Sequence, residues 1–102
     1  MSRGEIWWND DPYTGRRPYL ILTRDDAIPV LNQVLGVPAT RTIRGISTEV
    51  QLDRSDGMPD ACVLAIDNTG PIRVSLCTER ITRLSLERMQ AVCDALALAI
   101  AC

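Results

Sequence analysis

Hydrophobic and polar positions divide the chain into a long region of alternating or continuous apolar segments and a short final region with helical spacing. Residues 4–9 predict a first strand, with Ile6 and Trp8 on one face and Trp7 on the other. Asp10-Asp11-Pro12-Tyr13-Thr14-Gly15 is turn chemistry. Residues 18–23 then form an unbroken β-favouring run that predicts a well-buried strand. Pro18 has no N–H for a ladder, so it is expected at the first position of that strand, and it pushes Arg17 toward extended geometry. A guanidinium is thereby held at the mouth of a rigid element, where the core behind it sets its position.

Residues 24–29 form a polar connector, and 33–39 predict a third strand in which Gly36 and Pro38 mark a bulge or an edge. Residues 40–45 form a basic loop. The strict alternation of 48–53 predicts a half-exposed strand, 54–60 a turn, and 62–66 a central strand. Residues 67–71 predict a tight turn and 72–77 a sixth strand, with a further short extended piece near 79–84. Leu86, Met89, Val92/Cys93, Leu96 and Ile100 then recur at three and four, which predicts an amphipathic helix with Ser85 as N-cap and Glu87 at its positive end. Six or so strands closed by one helix predict a single, mostly β domain with a C-terminal α-helix, built as a strongly bent sheet or partly open barrel.

Composition narrows the chemistry. A chain of 102 residues supports one core. The polar start Met-Ser-Arg-Gly-Glu does not resemble a signal peptide, and the longest apolar run, 95–101, is far short of the roughly 20 residues of a membrane span. A cytoplasmic protein with no membrane partner is expected. The net charge of −2 provides no global attraction for nucleic acid, yet all eleven basic residues are Arg, the side chain that clamps phosphate with a planar fork. Cys62, Cys77 and Cys93 lie in apolar surroundings and are read as small hydrophobes, while Cys102 has no assigned role.

There is no His and no Lys, so nucleophile–histidine pairs and Schiff-base chemistry are absent, as are the phosphate-cradling glycine patterns. The four cysteines lie far apart with no Cys-x-x-Cys, which argues against zinc and against thiol–disulfide chemistry. Arg, Thr and carboxylates still permit one chemistry: attack of an RNA 2′-OH on its own neighbouring phosphate, in which the substrate supplies the nucleophile and the protein stabilises developing charge.

Arg3-Gly4-Glu5-Ile6-Trp7, Arg17-Pro18 followed by Leu20-Ile21-Leu22, Val37-Pro38-Ala39-Thr40, the pair Asp67-Asn68 and a terminal helix come in the order found in the MazF/PemK family of toxin endoribonucleases, which the chain resembles over nearly its whole length. The resemblance implies a small SH3-like barrel of the PemK/CcdB type, acting as a homodimer that cleaves single-stranded RNA without metal or cofactor and is neutralised by a MazE-like antitoxin. It also implies that Arg17 and Thr40 are the catalytic pair. Arg17 would fork onto the scissile phosphate, and Thr40 would donate its hydroxyl to a phosphate oxygen. Tyr13, Arg16, Arg41, Arg44, Asp67 and Asn68 are the expected RNA-binding residues, with Tyr13 the best placed to stack on a base. Trp7, Trp8 and Tyr19 are read first as core.

The chain departs from the family in its first loop, which is short and lacks the Gly-Ser-Glu stretch whose Glu has been considered as the base. A guanidinium does not deprotonate at neutral pH, so the proton acceptor is left open, with Asp10 and Asp11 as substitutes. Two alternatives stand beside a nuclease: a non-enzymatic binding toxin resembling CcdB, whose Trp-containing tail this chain lacks, and a catalytically silent interaction module on the same barrel.

Overall fold

In the computed structural model, which describes residues 1–101, seven strands and one α-helix are found among the described residues. The strands are β1 (Glu5–Asp11), β2 (Gly15–Ile21), β3 (Gln33–Thr40), β4 (Glu49–Leu52), β5 (Cys62–Ala65), β6 (Gly70–Arg73) and β7 (Cys77–Arg83), and the helix is α1 (Leu86–Ile100). Every pairing is antiparallel. The sheet runs β4-β5-β3-β2-β1-β7, with β6 attached to β3, so the expected mostly β, open sheet with one C-terminal helix is found. Cys102, for which no role was expected, lies outside the described residues.

Two cores lie on opposite faces of the sheet. Ile6, Leu20, Val37, Leu64, Val92 and Ala95 meet between the sheet and α1, while Ile21, Ile28, Val34 and Ile72 form a smaller cluster with Trp7 and Tyr19 packed against it. Alternation along β1 explains the division, because Ile6 and Trp7 point to opposite faces. The Ser85 hydroxyl caps α1 by accepting the Arg88 N–H at 3.1 Å.

The structure corrects the sequence-based expectations in several places. Pro18 is not the first residue of its strand: β2 begins at Gly15, and Pro18 pairs with Trp8. The Leu22 N–H bonds to Leu35 on the β3 side, whereas the Ile21 carbonyl accepts from Gly4 on the β1 side. Alternation therefore turns the Pro18 nitrogen toward β3, one step beyond the last paired residue, Tyr19. β3 is not an edge, because it changes partner from β6 (Gln33–Gly36) to β5 (Ala39 and Thr40), and Pro38 sits where that change occurs. The expected sixth strand at 72–77 is divided by a 3-10 turn at Val74–Leu76, and the expected tight turn at 67–71 is a 3-10 turn at Ile66–Asn68 leading directly into β6. The extended piece near 79–84 is part of a seven-residue strand, β7. On α1, Leu86 and Ile100 are exposed; the buried stripe is Val92 and Ala95, with Met89, Leu96 and Ala99 packed against the same core.

Candidate active site

β2 and β3 part company after Tyr19 and Pro38, and a cleft of about 500 Å³ opens where they diverge. Its floor is short or rigid, made of Pro18, Pro38, Ala39, Cys62 and Ala65. Its walls carry Arg16, Arg17, Arg41, Arg44, Thr40, Thr42, Asn68 and Trp8, and among the described residues no carboxylate lines it. Of the four guanidiniums around this concavity, Arg16 and Arg41 have carboxylate neighbours, while Arg17 and Arg44 make no ion pair among the described residues and give the cleft its local positive charge.

The backbone places Arg17 and Thr40 firmly. Arg17 pairs with Asn9 on β1, and Asn9 is buried, its Nδ2 donating to the Arg73 carbonyl at 3.2 Å and to Cys77 Sγ at 3.5 Å. Thr40 ends β3 paired with fully buried Val63. Continuing the β2–β3 register two residues past Tyr19 and Pro38 sets Arg17 opposite Thr40, and alternation gives both the same face. Arg17 is exposed and, among the described residues, makes no ion pair. The Thr40 Oγ1 accepts the Thr42 N–H at 3.1 Å, which fixes the hydroxyl and leaves its own proton free to donate.

Arg16 differs from its neighbour. Its guanidinium lies over the Trp8 ring, 4.6 Å from the centroid, and contacts Asp10 at 3.4 Å and Glu79 at 3.2 Å. Trp8, read from sequence as core, is half-buried and lines the cleft. The signal was present in β1: Trp8 follows Ile6 on one face, but one step nearer the end where the sheet opens. Asp10 shares that face, whereas Asp11 is committed to the β1–β2 turn, accepting the Tyr13 and Thr14 N–H groups at 2.7 and 3.2 Å. Gly15, at φ 88°, closes that hairpin with a backbone angle that side chains disfavour.

Six of the eight expected residues therefore surround one cleft: Arg16, Arg17, Thr40, Arg41, Arg44 and Asn68. The other two are elsewhere. Tyr13, 96% exposed at the hairpin tip, borders a second cavity shared with Tyr19, Gln33 and Arg73. Asp67 accepts the Thr48 hydroxyl at 2.6 Å beside a third, smaller cavity, which Arg44 and Asn68 also line. Burial, with Asp56 and Asp60 adding to it, pushes the Cys62 thiol up, so the sulfur in the cleft floor stays protonated rather than nucleophilic.

The family model described as "PemK-like, MazF-like toxin of type II toxin-antitoxin system" matches residues 2–100. The chain is 41% identical over 102 residues to the probable endoribonuclease MazF5 of Mycobacterium tuberculosis, an alignment covering 99% of this chain and 94% of that protein. It is 37% identical to the probable endoribonuclease MazF2 of the same species, with both proteins covered in full. Among solved structures, the M. tuberculosis toxin MazF-mt6 superposes with a TM-score of 0.87 at 33% identity, over 95% of this chain and 96% of that one. An endoribonuclease from a mycobacterial species, solved with its cognate antitoxin, superposes with a TM-score of 0.88 at 25% identity, over 99% of this chain and 95% of that one. The cleft between β2 and β3 thus sits in a protein that belongs to the PemK-like, MazF-like toxin family of type II toxin–antitoxin systems.

Proposed function

We propose that this chain is the toxin of a toxin–antitoxin pair, an endoribonuclease that cleaves single-stranded RNA without metal by 2′-OH attack on the adjacent phosphate. The observation that carries the mechanism is that Arg17, without an ion pair among the described residues, and Thr40 line one arginine-rich cleft. The 2′ oxygen bonds to phosphorus, the bond from phosphorus to the 5′ oxygen breaks, and the products are a 2′,3′-cyclic phosphate and a 5′-hydroxyl. Arg17 forks onto the non-bridging oxygens and neutralises their growing charge, while Thr40 donates to one of them. Asp11 is held by the turn, Asp10 is paired with Arg16, and no carboxylate lines the cleft among the described residues, so the 2′-OH proton passes to water and the leaving 5′ oxygen takes a proton from water.

Arg16, Arg41, Arg44 and Asn68 hold the flanking backbone and bases, and Tyr13 stacks on a base that reaches the hairpin tip. The protein acts in the cytoplasm as a homodimer; the exposed apolar side chains of Val30, Leu31 and Leu35 supply a face for a second copy. A flexible, acidic MazE-like antitoxin segment suits the same arginine-lined cleft.

The test is incubation of the purified protein with RNA in EDTA, followed by mapping of the ends. Sequence-restricted cuts bearing cyclic phosphate and 5′-hydroxyl termini are expected. RNA left intact in both EDTA and magnesium would overturn the nuclease reading in favour of a silent interaction module or a CcdB-like binding toxin, which an assay for double-strand DNA breaks separates. Cutting that requires magnesium would overturn the metal-free mechanism.

A further inference from the structure

We propose that Glu49 and Asp67 are positioning residues for RNA recognition, two carboxylates that hold the 41–48 loop from behind in the shape that presents Arg41 and Arg44 to the cleft. This inference rests on the nuclease assignment above.

Residues 41–48 join β3 to β4 without a helix or strand of their own, and all but Thr48 are exposed. Such a segment has little apolar contact to order it. Its backbone donors nevertheless converge on one side chain. The Arg44 N–H donates to Glu49 Oε1 at 3.0 Å and to Oε2 at 3.2 Å, and the Gly45 N–H donates to Oε1 at 2.9 Å. Gly45, at φ 72°, supplies the left-handed bend at this point in the loop. The far end is held by the 2.6 Å bond from the Thr48 hydroxyl to Asp67, and the near end by the Thr42 N–H on Thr40.

Both carboxylates stand on core-anchored backbone. Glu49 opens β4 opposite Ala65 and precedes buried Val50, while Asp67 lies in the Ile66–Asn68 turn, which also carries Asn68 into the cleft. Arg44 borders both the cleft and the smaller cavity in which Glu49 and Asp67 lie. The two acids therefore act through the loop rather than on RNA. A loop ordered in advance loses less freedom when the substrate binds, so the latch contributes to RNA affinity and to discrimination between sequences more than to the chemical step.

The test compares Glu49→Ala, Glu49→Gln and Thr48→Val with wild type in two assays, limited trypsin digestion and RNA cleavage. For Glu49→Ala, tryptic cutting after Arg41 and Arg44 is expected to accelerate about 10-fold, the scale of losing hydrogen bonds to a charged acceptor. KM for the preferred RNA should rise by a similar factor, with kcat within about 3-fold and poorer discrimination against single-base variants. Glu49→Gln, which keeps one acceptor oxygen, should lie between, and Thr48→Val should shift both readouts in the same direction and carry the test alone should Glu49→Ala fail to fold. Unchanged trypsin sensitivity, or faster digestion with unchanged KM and selectivity, would overturn the proposal. Wild-type protein that leaves RNA intact defeats the nuclease assignment instead, and the trypsin assay reports on the latch independently.

Discussion

Arg17 and Thr40 line one cleft that opens where the ladder between β2 and β3 has just ended. Tyr19 and Pro38 are the last paired residues, and two further positions along each strand bring the guanidinium and the hydroxyl to one side of the sheet. Both are thus held by paired backbone on their outer sides, to Asn9 and Val63, while the space between them is left to a substrate.

Thr40→Val preserves the strand propensity and shape of the residue but removes the hydroxyl and the acceptor for the Thr42 N–H. RNA cleavage should fall by about 100-fold or more, as for loss of one hydrogen-bond donor to a developing anion. Thr40→Ser should retain most activity. Steady-state cleavage of a short RNA measures both variants, and full activity in Thr40→Val would remove the hydroxyl from the mechanism.

The cationic cleft predicts a specific salt response. If Arg16, Arg17, Arg41 and Arg44 each neutralise one phosphate, log K for single-stranded RNA should fall against log salt with a slope of about −2.8, that is about −0.7 per contact. Arg44→Ala should reduce the magnitude by about 0.7. Fluorescence anisotropy between low and physiological salt reads the slope, and binding indifferent to salt would contradict a phosphate-gripping cleft.

Acid should weaken the fold through Glu5. Burial pushes its carboxyl up, but hydrogen bonds from Trp7 Nε1–H, the Ser2 N–H and Arg80 outweigh burial and hold it below its ordinary value of 4.5. The folded state thus binds its proton less tightly than the unfolded chain. The resulting stability is fully present at neutral pH and is lost as pH falls below about 4.5 toward the lowered folded value. Urea unfolding of Glu5→Gln should show a flatter decline from pH 6 to pH 3 than wild type, and equal slopes would exclude this contribution.

Gly57 is the position where a small change should cost most away from the site. It sits at φ 91°, and an added Cβ would collide with the Thr82 side chain, whose hydroxyl donates to the Asp56 carbonyl at 2.8 Å. Gly57→Ala should lose about 2–5 kcal/mol from left-handed strain and overpacking, measured by denaturant titration. An unchanged midpoint would show that the turn relaxes freely.

Much of this architecture was legible from apolar spacing. The alternation of Ile6, Trp7 and Trp8 and the continuous run of β5 report burial directly, so these strands appear where the pattern puts them. The boundary between β6 and β7 was hidden because Val74 and Leu76 continue the alternation of Ile72 through a 3-10 turn, both half-buried. The Pro18 position depended on which neighbour its nitrogen faces, and that is decided by strand partners distant in sequence. The cleft arginines and Thr40 were legible through ordered motifs. Asn9 and Glu49 were not, because the first acts on Arg73 and Cys77 far along the chain, and the second on backbone N–H groups that no residue identity announces.

The removal of the Arg17 guanidinium tests the central claim most directly. Arg17 is exposed and without an ion pair among the described residues, so Arg17→Ala should melt within a few degrees of wild type, as surface substitutions do. Its kcat/KM on single-stranded RNA should fall about 100-fold or more, the scale of losing one donor that stabilises transition-state charge. A folded Arg17→Ala protein that cuts RNA at close to the wild-type rate would contradict the account.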